Sequence, residues 1–308
     1  MHEQTLEQQN HKTRQWVRVL ARISRQVRFP GREKLLRTTL GVGPESFEGN
    51  QWFEEVIPYG RTLRFRCDPN SYLEWLIYMK GCYDFGITRL LPRLLRPGSY
   101  AVDVGANIGA YTLLMAECVG PKGRVASFEP NPEVFKRLLY NLELNQLSSR
   151  VDANPIALSS TAGTAKLYLP SVECRNRAVA SMRAYSEVHD QAIEVDMDVL
   201  DHALHSWPRL DFLKVDAEGH DAAVLKGSSE MIERFLPSLM FEYNPEAWPD
   251  SKSGWDDPHD WLSGLGYRLY WLDTNWGRLK TIATNPQIDG NIVALHSKTS
   301  PINVGKVP

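Results

Sequence analysis

Cysteines are few in this 308-residue chain, its charges nearly cancel, and long apolar runs are missing. The four cysteines, Cys67, Cys82, Cys118 and Cys174, are scattered, with no Cys-x-x-Cys pair and no histidine at metal-ligand spacing. That pattern excludes a disulfide-stapled scaffold and a zinc module, and reads as the reduced packing thiols of a cytoplasmic protein. Lys and Arg number 35 against 37 Asp and Glu, a net charge of −2. Such a balance offers no bulk attraction to nucleic acid, which is not expected as a partner, or to an acidic membrane. No apolar run is long enough to cross a bilayer, the polar N-terminus shows no signal-peptide core, and no internal repeat is visible. At 43% hydrophobic and 23% charged residues, the composition is that of a soluble globular protein. The length suits one large α/β domain with additions, or two small ones.

One glycine is also missing where a dinucleotide-binding turn would need it. Tyr100-Ala-Val-Asp103-Val-Gly105-Ala-Asn107-Ile-Gly109-Ala-Tyr-Thr reads as a strand, a glycine turn and a helix start. Counted from Gly105, the third position is Asn107 and the sixth is Ala110, so the backbone cannot make the close approach to a pyrophosphate that the dinucleotide fingerprint provides. Asp103 stands just before the turn. It would repel a pyrophosphate but suits the amino group of a methionine moiety. A second strand, 124–128, ends in Glu129, about 20 residues on, where a carboxylate accepts hydrogen bonds from ribose hydroxyls. Acid, glycine turn, acid is the pattern of S-adenosylmethionine (SAM) binding. The free N–H groups at the helix start add donors for a carboxylate.

Around this stretch the chain reads in order. Residues 12–28 form a helix in which Trp16, Val17, Leu20, Ile23 and Val27 recur at helical spacing, with Arg14, Arg18, Arg22 and Arg25 as a basic stripe. Docking on its own domain or on a second subunit is the favoured reading of this helix. Peripheral contact with an anionic membrane is the alternative. Residues 54–67 alternate as a hairpin, 70–78 form a short helix, and Asp84 caps another over 87–95. Residues 1–97 would be an extension covering the pocket, and 98–300 the catalytic domain. After helix 132–144, residues 150–158 read as a third strand whose end should lie over the adenine. Residues 164–169 and 178–196 form added β structure suited to substrate contacts, and the lone His189 there reads as a surface residue.

A second charged cluster, Leu210-Asp-Phe-Leu213-Lys214-Val-Asp216-Ala-Glu218-Gly219-His220-Asp221, is a buried strand that gains charge where it ends. Alternation puts Lys214 and Asp216 on one face, where the lysine can neutralise the carboxylate or hold it ionised. A fifth strand ends in Glu242 and Asn244, and 267–272 and 291–296 read as a closing antiparallel pair. Four strand ends converge on one rim, where open α/β sheets bind ligands. Five tryptophans, Trp248, Trp255, Trp261, Trp271 and Trp276, crowd residues 248–276. Core packing is their commoner use, sugar stacking the other.

In these motifs the sequence resembles the FkbM-type SAM-dependent methyltransferases over about 80–245. The matching stretches are 102–109, Phe128-Glu129-Pro-Asn131-Pro132, Asn141 to Asn145, Ala157-Leu-Ser159 with Gly163 after it, and 213–219. The resemblance implies an α/β fold, a Rossmann-like seven-stranded class I methyltransferase sheet with an N-terminal helical and hairpin extension. It also implies methylation of a hydroxyl on a small-molecule natural product or a glycan. Asp103, Gly105, Asn107 and Glu129 match its cofactor positions, and Asp84, Gly109, Asn131 and Ala157 are expected as further cofactor-binding residues. The family's Glu is replaced by the shorter Asp at 84 and 221. For proton removal from the acceptor the candidates are Asp216, Glu218 and His220, with Lys214 beside them; Asp216 or Glu218 is preferred because His220 starts a helix. A Mg²⁺ held by Asp216, Glu242 and Asn244 is less favoured than paired carboxylates without metal. Two other readings stand open: an RNA ribose methyltransferase using Lys214, Asp216, Lys226 and Glu242, and a cofactor-binding module without catalysis. Oligomeric state is not legible.

Overall fold

The computed structural model describes residues 15–27, 31–47, 55–170, 180–182, 189–243, 258–282 and 290–302. Asn244, Trp248, Trp255, Cys174 and Arg14 therefore lie outside the described residues. Cys67, Cys82 and Cys118 are buried. Among the described residues no helix is long and apolar enough to cross a membrane. The chain divides into two compact units, Met1–Tyr83 and Asp84–Pro308. The expected division at 97/98 differs from this one by a single helix, Phe85–Leu94, which belongs to the larger unit.

The amino-terminal unit begins with helix α1 (residues 15–26). Next comes α2 (Arg32–Lys34), which runs into a π-turn, Leu35–Thr39. Strands β1 (Glu55–Tyr59) and β2 (Leu63–Cys67) form the expected antiparallel hairpin, and α3 (Tyr72–Lys80) follows. Trp75, Ile77, Phe65 and Ile57 are sealed in its core. The stripe read from α1 is split. Val17 is buried with Ala21 and Ser24, whereas Trp16, Ile23 and Val27 face solvent. The small residues Ala21 and Ser24 let the backbone pack closely, so the helix turns that face inward.

The larger unit holds α4 (Phe85–Leu94), β3 (Tyr100–Val104), α5 (Ala110–Val119), β4 (Arg124–Phe128), α6 (Pro132–Leu144) and β5 (Val151–Asn154). Then come β6 (Ala157–Leu158), β7 (Gly163–Pro170), β8 (His189–Asp198), α7 (Leu200–Ala203) and β9 (Phe212–Val215). The rest is α8 (Asp221–Lys226), α9 (Ser229–Phe235), β10 (Ser238–Tyr243), α10 (Pro258–Gly264), β11 (Tyr267–Asp273), β12 (Arg278–Thr281) and β13 (Gly290–His296). Eight strands form one sheet in the order β12-β11-β13-β10-β9-β3-β4-β5. From β5 through β10 the pairing is parallel; β13 pairs antiparallel with β10 and β11. The sheet is the Rossmann-like one expected, with β12 added at the edge beyond seven.

The third strand departs from the sequence reading. Residues 150–158 do not form one strand, because Pro155 lacks a ladder N–H. The chain breaks there into β5, in the main sheet, and β6, in a separate sheet with β7 and β8. From β3 the chain steps outward to β4 and β5, then returns to the other side of β3 as β9. The switch point between β3 and β9 is where such sheets open a ligand crevice at their carboxyl ends. Val102, Val104, Leu213, Val215, Leu239 and Phe241 fill the core beneath it.

Candidate active site

The turn after β3 is built by backbone as much as by side chains. Gly105 and Ala106 both donate their N–H to the Phe128 carbonyl at 3.0 Å, tying the β3 exit to the β4 end. Gly105 has φ +68°, and a Cβ there would stand 1.8 Å from the Asp216 carbonyl oxygen, so no other residue fits. Asn107 is left-handed at φ +52°, a conformation asparagine tolerates. Its Oδ1 accepts from the Ile108 N–H at 2.7 Å, and its own N–H donates to Glu129 Oε2 at 2.9 Å. Gly109 is the N-cap of α5 and brings no side chain to cap it.

Behind the turn sits a lysine. Lys214 faces Asp103 in the β9–β3 register. Its Nζ lies 3.0 Å from Asp103 Oδ1 and 3.4 Å from Asp216 Oδ2, and donates to the Gly105 carbonyl at 2.9 Å. Burial opposes its charge, yet the Asp103 and Asp216 carboxylates hold its pKa above the ordinary lysine value. The oxygens around its Nζ, from Asp103, Asp216 and the Val104 and Gly105 carbonyls, are all acceptors, which suits an ammonium with three N–H donors. Thr112 Oγ1 donates to Asp103 Oδ2 at 2.6 Å. Burial pushes the Asp103 carboxyl up, and Lys214 and Thr112 pull it back. Asp103 is fully buried, with Oδ2 held by Thr112 and Oδ1 paired with Lys214, and these contacts hold the turn from behind. The same burial makes Lys214 a positioning group. Its Nζ also lies 5.3 Å over the Tyr111 ring, and the Tyr111 hydroxyl donates to Asp84 Oδ2 at 2.8 Å.

At the end of β4, Glu129 accepts from Asn107 N and Asn131 N, both at 2.9 Å. Burial pushes its carboxyl up to about 7 against those two donors. Asn131 caps α6, accepting from Glu133 N at 3.1 Å, so its side chain is committed to the helix. Ala157 is buried with Leu167 and Val195 in the core of the small sheet.

Residues 216–220 are half-buried, and they form the accessible edge of the site. The Asp216 N–H donates to the Val104 carbonyl at 3.2 Å, while its side chain is 35% exposed. Glu218 is left-handed at φ +48°. Burial, and then the charges of Asp216, Glu242 and Asp221, push its carboxyl up to about 8. Asp221 is buried beneath the loop, its oxygens accepting from Ala217 N and Glu242 N, each at 3.3 Å. Burial and the Asp216 charge push it, too, up to about 8. His220 Nε2 and Ser159 Oγ are hydrogen-bonded at 2.9 Å. Ser181, from the added β structure, donates to the Glu218 carbonyl at 2.9 Å.

Sequence reasoning thus named the acids at the strand ends but missed Tyr111, Thr112 and Ser181. Tyr111 and Thr112 lie two and three residues after Gly109, and the helical turn that swings them back under Asp103 and Asp84 was the available signal. Ser181 carried none.

The donor set fits SAM. Glu129 stands at the β4 end for a ribose, and the glycine-capped start of α5 leaves its dipole open to a carboxylate. Among the described residues, no group of three His, Cys, Asp or Glu side chains is disposed to hold a metal ion. Lys226, in the RNA reading, is an exposed last-turn residue of α8, whereas Lys214 is sealed.

A model of the methyltransferase FkbM domain matches residues 103–269. Methyltransferase sdnD of Sordaria araneosa is 32% identical over 181 residues, covering 50% of this chain and 67% of that protein. The hexuronic acid methyltransferase AglP of Haloferax volcanii is 28% identical over 149 residues, 48% of this chain and 57% of its own length. The 31-O-demethyl-FK506 methyltransferase FkbM of Streptomyces tacrolimicus is 40% identical over 73 residues, 24% of this chain and 27% of its own.

Proposed function

The chain belongs to the FkbM methyltransferase family, and from that premise we propose that it is a SAM-dependent O-methyltransferase acting on a hydroxyl of a small molecule or glycan. The observation that carries this reading is the pair Asp216 and Glu218, accessible at the switch point beside a turn and a Glu129 that suit SAM. Two relatives, named for a hexuronic acid and for 31-O-demethyl-FK506, support an oxygen acceptor.

SAM, when bound, supplies an activated methyl, so the protein's task is alignment and proton removal. Glu129 would hold the ribose hydroxyls, and the start of α5 would hold the carboxylate. Asp216, with its Oδ2 3.4 Å from Lys214 Nζ, accepts a hydrogen bond from the acceptor hydroxyl and orients it. Glu218, with its pKa raised toward working pH, takes the hydroxyl proton.

Calorimetric titration with S-adenosylhomocysteine tests the cofactor, with NAD as control and Glu129→Ala alongside. Micromolar binding of the first, none of the second, and loss in the variant are expected. Methyl transfer from SAM to a panel of hydroxylated metabolites and glycans then tests the acceptor. Silence with S-adenosylhomocysteine, or transfer only to amines or thiols, would overturn the reading.

A further inference from the structure

The amino-terminal unit carries an apolar face that its own core does not use. Trp16, Val19, Ile23 and Val27 are 46%, 54%, 54% and 47% exposed. Single exposed apolar residues are ordinary; these recur at i, i+3, i+7 and i+11, the spacing of one helical face. On another side of α1, Val17, Ala21 and Ser24 pack inward. The helix is therefore anchored by one face and presents a second.

The charge around that face is one-sided. Residues 11–40 contain nine Lys or Arg and one acid, Glu33. Residues 1–83 carry 13 basic and nine acidic side chains, a balance of +4, against 22 and 28 in 84–308, a balance of −6. Arg18 and Arg22 stand exposed on α1 beside the apolar row, and Lys34 and Arg37 follow in the same stretch. Leu35 and Leu40, between and beyond them, are exposed at 39% and 44%. The near-neutral total conceals this local excess.

We propose that this face of α1 docks the amino-terminal unit on an anionic lipid surface. A helix lying in a bilayer interface needs an apolar stripe to enter the acyl boundary and basic side chains to meet the headgroups, and α1 presents both. A nucleic-acid backbone would engage the arginines but leave Trp16, Val19, Ile23 and Val27 in water. A second copy of the chain would bury the apolar row but set arginine against arginine.

The test is co-sedimentation of the full chain with vesicles of phosphatidylcholine alone and of phosphatidylcholine mixed with phosphatidylglycerol. Binding to the mixed vesicles, weakened by salt, is expected. It should fall about tenfold in V19S/I23S and in Arg22→Glu, all exposed positions whose change leaves the fold intact. Far-UV circular dichroism and the thermal midpoint of each variant check that it is folded. Failure to bind the mixed vesicles overturns the proposal, as does equal binding to both compositions. A dimer by light scattering that V19S/I23S dissociates, without vesicle binding, assigns the face to a second copy and overturns it too. Retention of mixed RNA on filters, without vesicle binding, does the same.

Discussion

Lys214 Nζ lies 3.0 Å from Asp103 Oδ1, with both side chains sealed from solvent. One strand of the switch point thus carries the cation and its neighbour the anion, and the lysine spans from that anion to the accessible Asp216. Removing one member of a buried pair leaves the other charge uncompensated, which destabilises by about 3–5 kcal/mol. Lys214→Met should lower the urea midpoint accordingly, and Lys214→Met/Asp103→Leu should recover part of the loss. A double variant no more stable than the single would show that the lysine acts mainly through the Gly105 carbonyl.

Glycine at 105 is fixed by the closeness of two backbones. Gly105→Ala would press a methyl into the Asp216 carbonyl and strain a left-handed residue. The loop must move, so S-adenosylhomocysteine affinity is expected to fall at least about tenfold, with the thermal midpoint reduced. Unchanged affinity by calorimetry would mean that the turn is not part of the cofactor site.

Much of this was legible before the structure. β3, β4, β9 and β10 read as near-continuous apolar runs because both of their faces are covered, and the acids at their ends broke that pattern visibly. The burial of Asp103 was not legible: what seals it is Lys214 on a strand 111 positions later and Thr112 on the helix after the turn. In 150–158 hydrophobic content continues across Pro155, while the ladder cannot. In α1, the apolar residues outnumber those one face can bury, and spacing alone did not say which face packs.

The acids of the 216–221 loop set a pH dependence for transfer. Glu218 must be unprotonated to accept a proton, and its pKa stands at about 8, so kcat/KM should rise with pH through that value and level off above it. Asp216→Asn should slow turnover by about 10²–10⁴-fold with little change in S-adenosylhomocysteine affinity. It also removes the largest charge acting on Glu218, so the residual activity should show its limb at lower pH. A limb left in place would separate Asp216 from the titrating group, and a limb that survives Glu218→Gln would remove Glu218 from the base role.

Asp221 couples the same acids to stability. Its carboxyl stands at about 8 when folded, against an ordinary value near 3.8. Between those values the folded chain holds a proton that the unfolded chain has lost. Stability therefore falls as pH rises from about 4 to about 8, by at most about 1.4 kcal/mol per pH unit for this one group. Below the lower value its contribution is complete, and above the upper one it adds no further slope. Asp221→Asn cannot titrate, so its urea midpoint should vary less over that window, the remaining slope coming from the other raised carboxyls, Glu218 and Glu129 among them. The amide can accept from only one of the Ala217 and Glu242 N–H groups and turns a donor toward the other, so at pH 5 the variant should be less stable by about 1–3 kcal/mol. By pH 8 that gap should narrow, because the native carboxylate is then charged and buried beside Asp216 and Glu242. Parallel midpoint curves across the window would show that Asp221 does not carry the proton.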